Sequence, residues 1–111
     1  MDISFHSRKL ATTIASGTLL QRRFGQRLAR AVRARLALLA AAESLALVPS
    51  VPPVRCHQLH ADRDEQFAVD LVHPYRLVFA PDHDPMPRLP DGGINRSAVT
   101  AVVVLDIVDY H

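Results

Sequence analysis

Residues 98–111 constrain the fold more than any other stretch of the chain. Val99, Val102, Val103, Val104, Leu105, Ile107 and Val108 place seven β-branched or aliphatic side chains in this run, with no Gly or Pro, before it closes on Asp109, Tyr110 and His111. Such density reads as a strand apolar on both faces and therefore central in a sheet. A central last strand has to be walled in by the elements that precede it. Its polar tip is then carried on a rigid element, which is where a site best holds its groups. The plainer reading of the same residues is a polar chain end.

At 111 residues the chain is expected to form one domain over residues 1–111, large enough to bury about two thirds of its unfolded surface around a single core. Cys56 has no second cysteine to pair with, and its neighbours in the sequence predict a buried or half-buried strand thiol. Residues 10–20 are too short and too rich in Thr and Ser for a secretion signal, and the apolar residues 36–48 follow helix-spaced arginines, so the expectation is a soluble cytoplasmic protein with no membrane partner. The net charge of +2 hides an asymmetry. Residues 1–55 carry nine Lys/Arg against Asp2 and Glu43, whereas residues 56–111 carry four Arg against nine acids. A basic half suits phosphate or an acidic protein surface, although an arginine-rich helix is often only a solvated face.

In chain order, residues 2–6 alternate as a short half-buried strand. Ser7 can cap a helix over residues 8–15, with Leu10 and Ile14 on one face. Gly17 is expected to end it and Thr18 to cap a long second helix over residues 19–45. On that helix Phe24, Leu28, Val32, Leu36 and Leu39 form a stripe, with Arg23, Arg27, Arg30 and Arg33 on the other side. Arg35 intrudes on the stripe, so its stem should be buried and its guanidinium should snorkel or meet a carboxylate. Gly25 falls inside this helix, where close packing against the first helix is the expected reason. Pro49, Pro52 and Pro53 make a stiff linker. Residues 54–60, 66–72 and 75–80 then alternate as strands, with Phe67, Val69 and Leu71, and Leu77 and Phe79, facing inward. Residues 81–97 form a long Pro/Gly loop before the last strand. The order β-α-α-β-β-β-β predicts an α+β fold: an N-terminal strand, a two-helix hairpin, then a mostly antiparallel sheet of about four further strands, covered on one face.

The basic helical hairpin, Arg55-Cys56-His57-Gln58-Leu59 entering an Asp62-Arg63 turn, Phe67-Ala68-Val69-Asp70-Leu71, Tyr75-Arg76-Leu77-Val78-Phe79 and the closing Ile107-Val108-Asp109-Tyr110-His111 together resemble the HigB-type toxins of the RelE/ParE superfamily over nearly the whole chain. The resemblance implies a bacterial type II toxin: a small ribosome-dependent endonuclease that cuts mRNA in the decoding site and is silenced by a helix-turn-helix, HigA-like antitoxin. It places the family's active-site histidine at His57, its strand arginine at Arg76, and its C-terminal acid, tyrosine and histidine at Asp109, Tyr110 and His111. His60 stands where relatives usually carry Lys. The turn Ala61-Asp62-Arg63-Asp64-Glu65 loses a Lys and gains two acids, which weakens phosphate attraction.

The residues support this chemistry in their own right. RNA is cut without a metal when a 2′-hydroxyl is deprotonated to attack the adjacent phosphate, the leaving 5′-oxygen is protonated and a cation stabilises the developing charge. Histidine suits both proton transfers, each worth roughly 10²- to 10⁴-fold. His57 and His111 are the expected acid/base pair, Asp109 an orienter or base, and His60 an accessory group. Arg76 suits charge stabilisation and Tyr110 can donate a hydrogen bond or stack on a base. Arg23, Arg27, Arg30, Arg33, Arg55 and Arg63 are the expected contacts to RNA or a partner. No cofactor is expected. Nor is a metal, because His57 and His60, three apart on a strand, face opposite sides; His6, His73 and His83 read as structural or solvated. Two other classes remain open: a ParE-like protein that poisons a topoisomerase by binding it, and a catalytically weakened antitoxin-binding or repressor module.

Overall fold

A computed structural model describes residues 1–110. Five strands, β1 (Asp2–Phe5), β2 (His57–Gln58), β3 (Phe67–Asp70), β4 (Tyr75–Pro81) and β5 (Ala101–Asp109), form one sheet in the order β1-β5-β4-β3-β2. The β1–β5 pair is parallel and the others are antiparallel. The chain is therefore α+β, with its last strand inside the sheet as expected.

The helical region has three helices rather than two: α1 (Arg8–Ala15), α2 (Gly17–Phe24) and α3 (Gln26–Ala41). Ser7 caps α1 as expected, its side chain accepting from the Leu10 N–H at 3.0 Å. Ser16, rather than Gly17 and Thr18, makes the next junction. Its N–H donates to the Thr12 carbonyl to close α1, and its hydroxyl accepts from the Leu19 N–H to open α2. The expected long helix is broken at Gly25, which adopts φ +85° and ψ 162°, a combination open essentially only to glycine. A Cβ there would meet nothing within 4 Å, so the backbone angle, not close packing, requires the glycine.

The apolar stripe survives the break. Leu28, Val32 and Leu39 are buried, and Phe24 and Leu36 pack against the same core. That core joins the helices to Phe67, Val69, Leu77, Phe79, Val102, Val104 and Ile107 of the sheet. The Phe67 and Phe79 rings stack at 6.1 Å between centroids, and each wholly buried ring contributes roughly 1.5–3 kcal/mol. Arg35 is half-buried and meets carbonyls rather than a carboxylate: its Nε donates to the Asp70 oxygen at 2.7 Å and Nη2 to that of Pro53 at 3.4 Å. The helix ends at Ala41, short of residue 45. Leu45 instead opens a 3₁₀ turn, is buried, and donates its N–H to the Val99 carbonyl.

One strand expectation is corrected, and β5 carries an irregularity that its apolar run does not announce. The run 54–60 pairs as a strand only at His57–Gln58, because Arg55 takes φ +48° and interrupts the ladder. Val54 and Cys56 still enter the main core. β5 carries a bulge: Val78 pairs with Asp106 but Phe79 pairs with Val104, leaving Leu105 as the extra residue. The bulge reverses the alternation, so the helix-side anchors are Val102, Val104 and Ile107, while Val103 and Leu105 are half-buried on the other face. That second face is not wholly covered. It carries a small cluster of Leu59, Ala68 and Val78, with Leu105, Val108 and Tyr110 packed around it and partly exposed.

Candidate functional site

The face of the sheet turned away from the helices gathers the polar side chains. Leu71 N–H to Tyr75 carbonyl and Tyr75 N–H to Val72 carbonyl close a tight hairpin, which sets Asp70 opposite Arg76 and Ala68 opposite Val78. Directly paired residues share a face. Arg76 reaches Asp70 with Nε at 3.5 Å, and its guanidinium carbon lies 4.5 Å from the centroid of the Tyr110 ring. Arg55 approaches the same carboxylate from the segment that precedes β2, with Nε at 2.7 Å and Nη2 at 3.0 Å from the two oxygens. The hydrogen bonds to Asp70 hold the Arg55 guanidinium above its ordinary range, outweighing the small cost of desolvation.

His57 is opposite Ala68 and hence on this same face, one side-chain repeat or roughly 7 Å along β3 from Asp70. Its Nδ1 is 2.7 Å from the carbonyl oxygen of Arg55. A carbonyl only accepts, so Nδ1 carries the hydrogen, and Nε2 of the neutral ring is left with the lone pair. The left-handed backbone of Arg55 that cuts β2 short is what lies beside this ring.

Leu59, His60, Ala61, Asp62, Arg63 and Tyr110 line a shallow hollow beside the Arg76–Tyr110 stack. His60 is exposed at its rim, and Arg63 is half-buried with its guanidinium on the Gln66 side-chain oxygen at 3.1 Å. The acidic turn is partly neutralised, since Glu65 pairs with Arg88 of the 81–97 loop, while Asp62 and Asp64 are exposed. Tyr110 thus touches both Arg76 and the hollow that holds His60. Its neighbour does not share this face: Asp109 pairs with Tyr75, on the helix side of the sheet, so the expected acid and tyrosine diverge. His111 lies outside the described residues. Arg23, Arg27, Arg30 and Arg33 are all exposed, Arg23 on α2 and the other three on α3, so the basic stripe spans the Gly25 break.

Other candidates are structural. His83 accepts from the Thr100 and Ala101 N–H groups at 3.0 and 3.3 Å and fastens the start of β5. Cys56 is buried, and burial pushes its thiol up to about 11, against a smaller opposing pull from Arg96. Among the described residues no three His, Cys, Asp or Glu side chains are grouped to hold a metal ion, and no helix is long and apolar enough to cross a membrane.

The residue that pattern reading passed over is Asp70. The signal was present: a hairpin turning about residue 73 pairs positions whose numbers sum to 146, which sets Asp70 across from Arg76. No protein-family model matches the chain, and no curated protein matches it closely enough to serve as a relative.

Proposed function

We propose that this chain is the toxin of a bacterial type II toxin-antitoxin pair, a metal-independent, ribosome-dependent mRNA endonuclease with a RelE/ParE-like fold. The observation that carries this reading is the His57 ring, oriented by the Arg55 carbonyl with Nε2 as proton acceptor, on the same sheet face as the Arg76–Tyr110 stack. In the proposed reaction Nε2 of His57 takes the proton of a ribose 2′-hydroxyl. The 2′-oxygen bonds to the adjacent phosphorus, and the bond to the 5′-oxygen breaks. His111 or the exposed His60 returns a proton to that leaving oxygen. Arg76 stabilises the charge that develops on the phosphoryl oxygens, a role worth a few kcal/mol, and the ring of Tyr110 offers a base a stacking surface. Arg63 and the arginines of α2 and α3 are available to ribosomal RNA or to an acidic antitoxin segment.

The test is addition of the purified protein to translating ribosomes, with mapping of new mRNA 5′ ends, in the presence and absence of the neighbouring gene's product. Cleavage that the partner abolishes supports the proposal. Topoisomerase inhibition without cleavage would replace it with the ParE-like reading, and tight partner binding without either activity would leave a repressor module.

A further inference from the structure

Beside the Arg76–Tyr110 stack, at the end of the sheet where the Pro52-Pro53 linker meets the His73-Pro74 turn, lies a groove of about 240 Å³. Both Arg55 and Arg76 line it, with Asp70 between them. One carboxylate against two guanidiniums leaves a net positive charge. Asp70 accepts hydrogen bonds from Nε and Nη2 of Arg55 at 2.7 and 3.0 Å, whereas Arg76 meets it at the longer distance of 3.5 Å, through Nε. The remaining walls include Pro53, Pro74 and Tyr75, flat apolar surfaces of the kind on which a sugar or base rests.

We propose that this groove is a second phosphate subsite, which holds through Arg55 an RNA phosphodiester next to the one that reacts at Arg76. The proposal rests on the RNA-cleavage reading above and adds to it a binding role for Arg55 and a restraining role for Asp70. Asp70 bridges the two arginines, so it sets the separation at which they meet successive phosphates of one strand. It also competes with those phosphates for the same N–H groups. RNA is favoured over an acidic peptide because the cationic groove is contiguous, through Arg76, with an aromatic ring that can stack on a base.

The probe is a short RNA with a 2′-deoxy sugar at the reacting position, so that it binds without being cut, and a series in which one methylphosphonate removes the charge of a single linkage. Binding is read by NMR titration across a range of salt concentrations. In the wild type, neutralising a linkage adjacent to the reacting one should weaken binding at least tenfold. Arg55→Gln should abolish that sensitivity at this linkage alone, and lower the slope of log K against log salt by about one. Arg55→Lys, which retains the charge, should keep the slope. Asp70→Asn, which removes the competing charge, should tighten the fully charged probe threefold or more. Arg55→Gln with wild-type slope and linkage sensitivity, or Asp70→Asn that binds more weakly while folded by circular dichroism, overturns the subsite and leaves RNA recognition standing. A wild-type protein that binds none of the charged probes overturns the subsite, whereas the cleavage reading beneath it is decided separately, by mapping mRNA cuts on translating ribosomes.

Discussion

The guanidinium of Arg76 is fixed from two sides, over the ring of Tyr110 at 4.5 Å and against Asp70 at 3.5 Å. Neither contact is worth much to stability, since an exposed cation–π pair contributes about 0.5–1 kcal/mol and a partly exposed ion pair about as little. Together they set one orientation of a charged group opposite Val108, which packs on the small apolar cluster of Leu59, Ala68 and Val78.

Arg76→Ala should therefore slow ribosome-dependent cleavage by about 10²-fold or more while lowering stability by roughly 1 kcal/mol. Tyr110→Phe keeps the ring under the guanidinium and should fall between this variant and wild type. Parallel rate and melting measurements check it. A large fall in melting temperature with cleavage intact would make Arg76 a structural residue.

Cys56 makes a prediction about pH. Its native thiol is raised from an ordinary value of 9.0 to about 11, so between those values the unfolded chain loses a proton that the folded chain keeps. The folded state then binds more protons, and stability falls as pH rises through that window, by about 2 kcal/mol in total. Urea unfolding at pH 8.5 and 10.5 should show this loss in the wild type and a smaller one in Cys56→Ala, whose constant cavity cost cancels from the comparison. Equal losses in the two proteins would refute the assignment.

Much of the sheet was readable from alternation, and the failures have local causes. Strands β3 and β4 follow the period of two because a tight turn joins them without slippage. β5 does not, since one inserted residue at Leu105 exchanges the two faces, and a run apolar at nearly every position conceals such an insertion. Helical periodicity continued across Gly25 because the apolar stripe is in phase on both sides; a residue at φ +85° leaves no trace in a hydrophobic pattern. Arg55 likewise gives no sign of its left-handed backbone, so β2 was expected to be longer. The divergence of Asp109 from Tyr110, by contrast, follows from strand geometry alone, in which adjacent residues face opposite sides.

Gly25→Ala tests the helix break directly. With no steric obstacle to a Cβ, the substitution acts through the backbone angle and should destabilise the protein by about 1–3 kcal/mol, on the order of 5 °C or more in melting temperature. A variant that melts at the wild-type temperature would show that α2 and α3 tolerate fusion into one helix.

The arginine face yields a salt-dependent prediction. Arg27, Arg30 and Arg33 are exposed on α3, so reversing Arg27 and Arg30 to Glu should leave folding intact and, on the proposed function, weaken association with ribosomes or with the proposed antitoxin, most strongly at low ionic strength. Affinities for both within error of wild type, at 50 mM and at 300 mM salt, would reduce the stripe to a solvated face.

His57 permits the sharpest test, because its two ring nitrogens have different tasks. Nδ1–H donates to the Arg55 carbonyl, and an asparagine amide can stand in for that nitrogen while supplying nothing at the position of Nε2. His57→Asn should therefore fold with nearly wild-type stability and cut translating mRNA at least 10²-fold more slowly. His57→Ala should lose as much rate and also some stability, since the Arg55 carbonyl then lacks its donor. Removing His111 in addition should add little to either defect, because members of one acid/base unit are not additive. Rate and stability that fall together across the Asn and Ala variants would make His57 a strut for the Arg55 backbone. A His57→Asn protein that cuts at the wild-type rate would leave His60, Arg76 and the chain tip to account for cleavage.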